Sequence, residues 1–435
     1  MKLRTRLGGM VLAAVAAWWA PAARGEFFFW LDGRGSTSAP GVTGSIFLTN
    51  DNVAQVDAFL ANRGAGTKAV KVETALTQAT VDAIFNKYKV DYTFLDYEGA
   101  NATADATATV ARIKASSMTG PAVVANKAYV SNFAYSSAYS DPSAPTTGAP
   151  QALSATYAAV GLNMVSNDLY PGLGSFRGPA SGNSAAPNVR SALFAAPVVR
   201  LSVASAALPT GHANVPYVNR FNNWLNTALD TDGNPANGYK FVTSNQLPSR
   251  EDFKAQVLHY RLRGATGAHG LDGGVQGYGM DQFQADIVGG WTGQAKVNDL
   301  MGRADARLAT LDTVATVDGV KRPLDETGVV FSGVYSLVAS RMVMLMSNLD
   351  EHAHTLTLPM KVGGKSLAGQ FLLEAGSHEM VEFGISGASW TVLSTTPVFA
   401  STDADRAGTG VPEPGAIGAI AVAAAMGLMR RRRAA

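Results

Sequence analysis

The chain has 435 residues, of which 47% are hydrophobic and 16% are charged, and its formal net charge is +2. It contains no cysteine, which excludes a disulfide framework, a cysteine-ligated zinc site and a thiol nucleophile. The net charge owes much to the two basic termini. Because the body lacks the clustered Lys/Arg face that phosphate binding requires, no nucleic-acid partner is predicted.

The N-terminus predicts a secretory signal peptide over residues 1–25. Lys2, Arg4 and Arg6 precede an apolar stretch from Leu7 to Trp19, and small residues follow as far as Gly25. Early positive charge, an apolar middle and small residues at the end are what the translocon and signal peptidase need. We therefore expect an exported protein whose body begins at about residue 26.

The first part of the body alternates short apolar runs with helical periodicities, a pattern typical of parallel β/α architecture. The predicted strands are 27–31, 68–72, 92–95, 122–125, 162–165, 215–218, 240–243 and 267–271. Eight strands over this length predict a (β/α)8 TIM-like barrel over residues 26–312. An open doubly wound sheet is the alternative, but no Gly-x-Gly-x-x-Gly turn follows the first strand.

Two helical segments complete the predicted barrel. Ser249 and Asp252 resemble a capping box, and the helix after them would bury Phe253, Val257 and Tyr260. A long helical stretch is then expected from about residue 281 to 312.

The pattern changes to period two in the C-terminal part, where short strands joined by turns are expected. These strands are 329–335, 342–347, 355–359, 371–373, 380–383 and 390–393, with a hairpin at Gly363-Gly364. They predict a small antiparallel β-sandwich over residues 327–397, followed by a linker over 398–410. A barrel followed by a sandwich resembles the layout of many glycoside hydrolases.

Acidic residues cluster where the predicted strands end, and a barrel places its chemistry in the loops that follow its strands. The acidic residues at these positions are Asp32, Glu73, Asp96, Glu98, Asp168 and Asp272. Asp96 and Glu98 form the best pair, because residues two apart on a strand point to the same face. Glycoside hydrolysis needs two carboxyl groups, one to protonate the leaving oxygen and one to attack the sugar or activate water.

The segment Phe94-Leu95-Asp96-Tyr97-Glu98 resembles the strand-end acidic motifs of chitinase-like and muramidase-like barrels. We predict Glu98 as general acid, with Asp168 or Asp96 as its partner. Six further residues are predicted to bind substrate: Trp30, Asp32, Tyr97, Tyr170, Asp272 and Trp291. Strand-end carboxylates can instead cap helices or pair with arginine, and large aromatic residues can instead belong to the core.

No cofactor and no metal are predicted. His352 and His354 lie two apart on a strand-like run, but no third ligand is evident. The chain has no Gly-x-Ser-x-Gly elbow and no phosphate loop. Polysaccharide is the expected partner, and a non-catalytic carbohydrate-binding or structural surface protein is the alternative to an enzyme.

The C-terminus contains a three-part pattern over residues 411–435. Pro412, Glu413 and Pro414 precede an apolar run over 415–429, which is followed by Arg430, Arg431, Arg432 and Arg433. The run can cross a bilayer if the arginines snorkel to the interface, and the arginines should stay cytoplasmic. This tail resembles the PEP-CTERM sorting signal of Gram-negative bacteria. The resemblance implies processing by the membrane-embedded exosortase and a final place at the cell envelope or outside the cell.

Overall fold

The structure is a computed structural model that describes a large part of the body. The described residues are 28–32, 42–66, 68–95, 97, 102–116, 128–131, 164–165, 213–218, 250–271, 280–309, 314–323, 328–349, 353–358 and 360–399. The predicted signal peptide and the predicted sorting tail lie outside them. Of the helices within these ranges, none has the length and apolar character needed to traverse a bilayer.

The first part of the described chain alternates strands and helices. In chain order these are β1 (Phe28–Asp32), β2 (Val42–Gly44), β3 (Ile46–Phe47), α1 (Val53–Asn62), β4 (Ala69–Val72), α2 (Gln78–Phe85), β5 (Tyr92–Leu95), α3 (Ala102–Ala115), β6 (Ala128–Ser131), β7 (Met164–Val165), β8 (Ala213–Asn214), β9 (Tyr217–Val218), α4 (Arg250–Leu262) and β10 (Gly267–Leu271). Every pairing recorded among these strands is parallel.

The pairing order of these strands is cyclic. One ladder runs β2-β1-β10-β9 and the other runs β3-β4-β5-β6-β7-β8. Ser45 alone separates β2 from β3, and Val215 and Pro216 alone separate β8 from β9. A path that starts at β1 therefore passes along both ladders and returns to β1 through β10. A (β/α)8 barrel has the same cyclic parallel order when each split pair is counted as one strand.

Two predicted strands of this part, 122–125 and 240–243, lie outside the described residues. Among the described strands, β5 pairs with β6 at 128–131, and β10 pairs with β1 and β9. The strand at 42–47 was not predicted, because Gly44 and Ser45 divide it into two very short pieces.

Helices α1 and α2 pack on one face of the parallel ladder. Val56 and Ile84 from these helices share a hydrophobic core with Val70 and Val72 of β4. Successive side chains of a strand point to opposite faces. Lys71, which lies between these two valines, therefore points away from the helices.

Two helices follow β10, namely α5 (Met280–Thr292) and α6 (Ala295–Met301). The prediction of one continuous helical stretch over 281–312 is wrong, because the helix is interrupted after Thr292. At Gly293 a Cβ atom would come within 2.1 Å of the Gly289 carbonyl oxygen, so a side chain cannot be accommodated there. Residues 307–308 form a strand rather than a helix.

The remaining strands pair mostly in antiparallel fashion. They are β11 (Arg307–Leu308), β12 (Val314–Val317), β13 (Val320–Pro323), β14 (Val329–Ser336), β15 (Arg341–Asn348), β16 (His354–Thr357), β17 (Met360–Val362), β18 (Lys365–Leu367), β19 (Gln370–Leu373), β20 (His378–Ser386) and β21 (Ser389–Pro397). They form a seven-stranded sheet, β11-β14-β15-β20-β21-β18-β17, and a four-stranded sheet, β13-β12-β16-β19. The predicted hairpin joins β17 to β18 through Gly363 and Gly364, which both have positive φ.

The two C-terminal sheets enclose a shared hydrophobic core. Val317 and Leu356 of the four-stranded sheet pack with Phe331, Met344 and Phe383 of the seven-stranded sheet. Two sheets that bury their inner faces against each other are the defining feature of a sandwich. Strands β11 to β13 belong to these sheets, so the C-terminal unit includes residues before the predicted start at 327.

The seven-stranded sheet is also covered on its other face. Leu258 of α4 and Leu300 of α6 pack against Val334, Val343 and Leu345. The predicted buried face of α4 is confirmed, since Phe253, Val257 and Tyr260 are at most 3% exposed. Helix α4 therefore packs on the seven-stranded sheet and also on α5.

Candidate functional site

A lysine is buried on the face of the parallel ladder opposite α1 and α2. Lys71 of β4 pairs in register with Phe47 of β3 and with Phe94 of β5, so these three side chains share one face. The ammonium nitrogen lies 4.9 Å from the Phe47 ring centroid and 5.3 Å from that of Phe94. Its side chain is only 4% exposed, and Nζ lies 3.0 Å from the carboxylate of Glu73.

These contacts explain how a charged group is accommodated there. Burying an ammonium group is costly unless it is paired, and an aromatic face attracts a cation most strongly when water is excluded. Glu73 follows the last residue of β4 and remains 27% exposed, so its carboxylate lies between the buried lysine and solvent. The Lys71–Glu73 pair therefore fixes a carboxylate at the carboxyl end of a parallel strand.

Tyr97, predicted to stack on substrate, lies on the opposite side of the ladder. It is 3% exposed and belongs to the core that α1 and α2 form with the strands. Its hydroxyl lies 2.7 Å from Thr109 Oγ1 of α3 and donates to the carbonyl oxygen of Thr74 at 3.1 Å. Burial raises the pKa of this phenol to about 12. Tyr97 acts here as an anchor between the segments after β4 and β5 rather than as an exposed stacking ring.

Further hydrogen bonds tie neighbouring segments at the same strand ends together. Asn50, after β3, donates to the carbonyl oxygen of Ala75 at 3.1 Å and accepts from the Thr77 N–H at 2.9 Å. Arg112 of α3 donates to the carbonyl oxygen of Leu76 at 2.6 Å. The segments that follow β3, β4 and β5 are therefore connected by side-chain hydrogen bonds, and such support fixes the geometry of a site.

Several predicted site residues cannot be placed. Asp96, Glu98, Asp168, Tyr170 and Asp272 lie outside the described residues. Trp30 and Asp32 belong to β1, which pairs with β2 and β10, and only their backbone is described. The roles assigned to these residues stay predictions.

Trp291, also predicted to bind substrate, lies near the end of α5 and is 6% exposed. The guanidinium carbon of Arg261 from α4 lies 5.7 Å from its ring centroid, and Arg261 also donates to the Trp291 carbonyl oxygen. Burial lowers the pKa of this guanidinium. The ring thus fills the contact between α4 and α5, which is the core role that large aromatic residues often have.

A second set of polar residues is completely enclosed between α4 and the seven-stranded sheet. Asp252 Oδ1 lies 2.9 Å from His378 Nε2, and His378 Nδ1 lies 2.8 Å from Ser347 Oγ. This is the connectivity of an acid, base and nucleophile triad, but all three side chains are at most 2% exposed. Asp252, part of the predicted capping box, bonds to a histidine 126 residues away, and Ser249, the other part of that box, lies outside the described residues.

Of the two histidines that lie two apart in the sequence, only His354 is among the described residues. His354 Nδ1 lies 2.7 Å from Asp318 Oδ2, and His352 lies outside those residues. Within the part of the chain that the structure describes, no three His, Asp or Glu residues are grouped as metal ligands.

Comparisons with known proteins find similarity only in solved structures. No protein-family model matches the chain, and no curated protein sequence matches it. One similar structure is an α-amylase of Anoxybacillus, at 8% identity over 71% of this chain and 62% of that chain, with a TM-score of 0.35. A family 5 glycoside hydrolase of Bacteroides vulgatus matches at 11% identity over 87% and 88% of the two chains, with a TM-score of 0.35. AmyP in complex with maltose matches at 10% identity over 82% and 86%, again with a TM-score of 0.35. Function is therefore argued from the residues of this chain.

Proposed function

We propose that the protein is an exported glycoside hydrolase of extracellular polysaccharide, built from a (β/α)8 barrel and a C-terminal β-sandwich. The cyclic parallel order of β1 to β10 supports the barrel. The shared core of the two C-terminal sheets supports the sandwich. The catalytic groups would be Glu98 with Asp96 or Asp168, at the carboxyl ends of the barrel strands.

The position of Tyr97 is the observation that carries this proposal. Its ring lies in the helix-side core, and its hydroxyl is bonded to Thr74 and Thr109. If the alternation of β5 continues through this residue, its neighbours Asp96 and Glu98 point to the other face, the one that holds Lys71. Tyr97 would then position two carboxyl groups on the side where a barrel binds its substrate.

The proposed chemistry follows from these positions. Glu98, as general acid, protonates the glycosidic oxygen while Asp96 or Asp168 attacks the sugar or activates a water. The Lys71–Glu73 pair keeps a partly exposed carboxylate at the carboxyl end of β4. That carboxylate can accept hydrogen bonds from sugar hydroxyl groups.

The test is the release of reducing ends from a panel of bacterial and plant polysaccharides by wild type and Glu98→Gln. We expect Glu98→Gln to lower hydrolysis by about 10²- to 10⁴-fold, the usual contribution of a general acid. Glu374→Gln, at an exposed position after β19, is the matched control and should keep full activity.

Two outcomes would contradict the enzyme. Retention on a polysaccharide without turnover by wild type would favour a non-catalytic carbohydrate-binding protein. Neither binding nor turnover across the panel would favour a structural surface or matrix protein.

We also propose that signal peptidase and exosortase process the chain, and that the apolar run over 415–429 holds the precursor in the membrane before processing. The support is the order of Pro412-Glu413-Pro414, the apolar run and the four arginines. Replacing Glu413 with alanine or deleting residues 430–433 should each leave an unprocessed precursor, visible as a larger band. Normal maturation of both variants would overturn the sorting proposal.

A further inference from the structure

A continuous chain of hydrogen bonds crosses the interface between α4 and the seven-stranded sheet. Six side chains form this buried polar chain, and each is at most 2% exposed: Arg263, Ser332, His259, Ser347, His378 and Asp252. Three of them belong to α4 or follow it directly, and the other three lie on β14, β15 and β20. Apolar side chains of the same helix and sheet, including Leu258, Val343 and Met380, surround it.

The Arg263 end fixes the direction of the first bonds. Arg263 donates its Nε–H to Ser332 Oγ at 2.7 Å, and a guanidinium group has no acceptor. The Ser332 hydroxyl is then free to donate to His259 Nδ1, which lies 2.8 Å away. His259 consequently carries its proton on Nε2 and donates it to Ser347 Oγ, also at 2.8 Å.

The Asp252 end requires the same direction. An ionised carboxylate only accepts, so His378 donates its Nε2–H to Asp252 Oδ1. Ser347 Oγ already accepts from His259, so the Ser347 hydroxyl donates to His378 Nδ1, which lies 2.8 Å away. Every bond of the chain then runs from the guanidinium to the carboxylate, and each hydroxyl donates once.

A second proton on His259 breaks this arrangement. Protonated His259 would direct an N–H at Ser332 Oγ, which already accepts from Arg263, and the Ser332 hydroxyl would lose its acceptor in the chain. A buried donor without a partner is strongly destabilising, and a charged imidazole without access to water adds to this.

We propose that the buried polar chain is a pH-sensitive latch, which holds α4 against the C-terminal sheet while His259 is neutral and releases it when His259 is protonated. The latch joins α4 to β14, β15 and β20, and α4 also packs on α5. It does not depend on the proposed catalytic activity.

The groups around His259 set the direction of the response. Arg263 faces it from the end of α4 and His378 from β20, while β14 and β15 present the two serines. Burial, then the charge of Arg263, then His378 hold the pKa of His259 well below its ordinary value. A histidine of an unfolded chain titrates near pH 6.5. The stabilisation is therefore fully present above about pH 6.5 and is lost as the pH falls below that value.

The test measures the Tm of the intact protein at pH 7.5 and pH 5.0. We expect the wild-type Tm to fall by about 5 °C or more, since proton uptake by the unfolded state is linked to stability. His259→Gln should have a lower Tm at pH 7.5 but at most half of the wild-type pH dependence. His354→Gln removes a histidine outside the latch, on β16, and should keep the wild-type pH dependence.

A second measurement covers the case in which His259→Gln does not fold. Hydrogen exchange of the wild type, corrected for the intrinsic effect of pH, should show faster opening at pH 5.5 than at pH 7.5 in peptides over 250–263 and 378–386. Peptides over 92–116 serve as the internal reference. Equal protection of all these peptides at both pH values, or a wild-type Tm that does not change, would overturn the latch.

Discussion

Two of the regions that bury charged side chains differ in their access to water. Lys71 is enclosed, but its partner Glu73 reaches solvent at the carboxyl end of β4. The buried polar chain has both its arginine and its aspartate enclosed. An enclosed charge with an open partner suits a site that receives a ligand, whereas a fully enclosed and fully paired chain suits the joining of two structural units.

Among variants that compare the two regions, the largest loss of stability is expected for Arg263→Met, in the fully enclosed one. The substitution leaves Ser332 Oγ and the Phe331 carbonyl oxygen without the donor that each has in wild type. We expect the free energy of unfolding to fall by about 3 kcal/mol or more, measured by urea denaturation at pH 7.5. Arg303→Met is the control, because Arg303 is 42% exposed and its ion pair with Asp299 should contribute less than about 1 kcal/mol. Equal losses in the two variants would remove the distinction between enclosed and exposed arginines.

An intermediate effect is expected for Lys71→Met. Methionine keeps the contact with the rings of Phe47 and Phe94, but the ion pair with Glu73 is lost. We expect the free energy of unfolding to fall by about 2 kcal/mol, because Glu73 can turn towards water. Any glycan binding or turnover should fall by a larger fraction. Lys87→Met is the matched control, since Lys87 also lies over an aromatic ring and pairs with a carboxylate, but at the surface. Unchanged carbohydrate affinity in Lys71→Met would place this pair outside the functional site.

The smallest effect at neutral pH is expected for Tyr97→Phe, which removes a hydroxyl with two hydrogen bonds. We expect a loss of about 1 kcal/mol at pH 7.5. Because the pKa of Tyr97 is raised to about 12, its stabilisation is fully present below pH 10 and is lost as the pH rises towards 12. The variant should therefore lose less stability than wild type between pH 9 and pH 11, measured by thermal unfolding. An identical alkaline decline in both proteins would show that this phenol is not enclosed.

Local patterns predicted many elements of both regions. β5 and β10 have their predicted bounds, and each of the six predicted C-terminal strands overlaps an observed one, although β14 and β15 are buried on both faces. Elements with weak local signals were missed, such as the strand at 42–47, and the break at Gly293 was read as continuous helix. Short segments contain too few periodic positions to be recognised, and their strands form because neighbouring strands supply hydrogen-bond partners.

The candidate site was predictable only as residue types at strand ends. Glu73 was among the acidic residues noted there, but its partner Lys71 was not singled out, because a lysine within an apolar strand has no local signature of burial. Tyr97 and Trp291 were expected near substrate and lie in the core instead. Which side of a strand or helix an aromatic residue faces depends on what packs against that side.

The sequence by itself determined the periodic elements, the lack of cysteine chemistry, the strand-end carboxylates and the charge and apolar patterns of the two termini. These depend on neighbouring residues, so they can be read along the chain. Only the tertiary structure decided that Asp252 bonds to His378, and that Lys71 lies between two aromatic rings. The physical reason is that partners far apart in sequence are brought together by packing, and the free energy of a buried polar group depends on those partners.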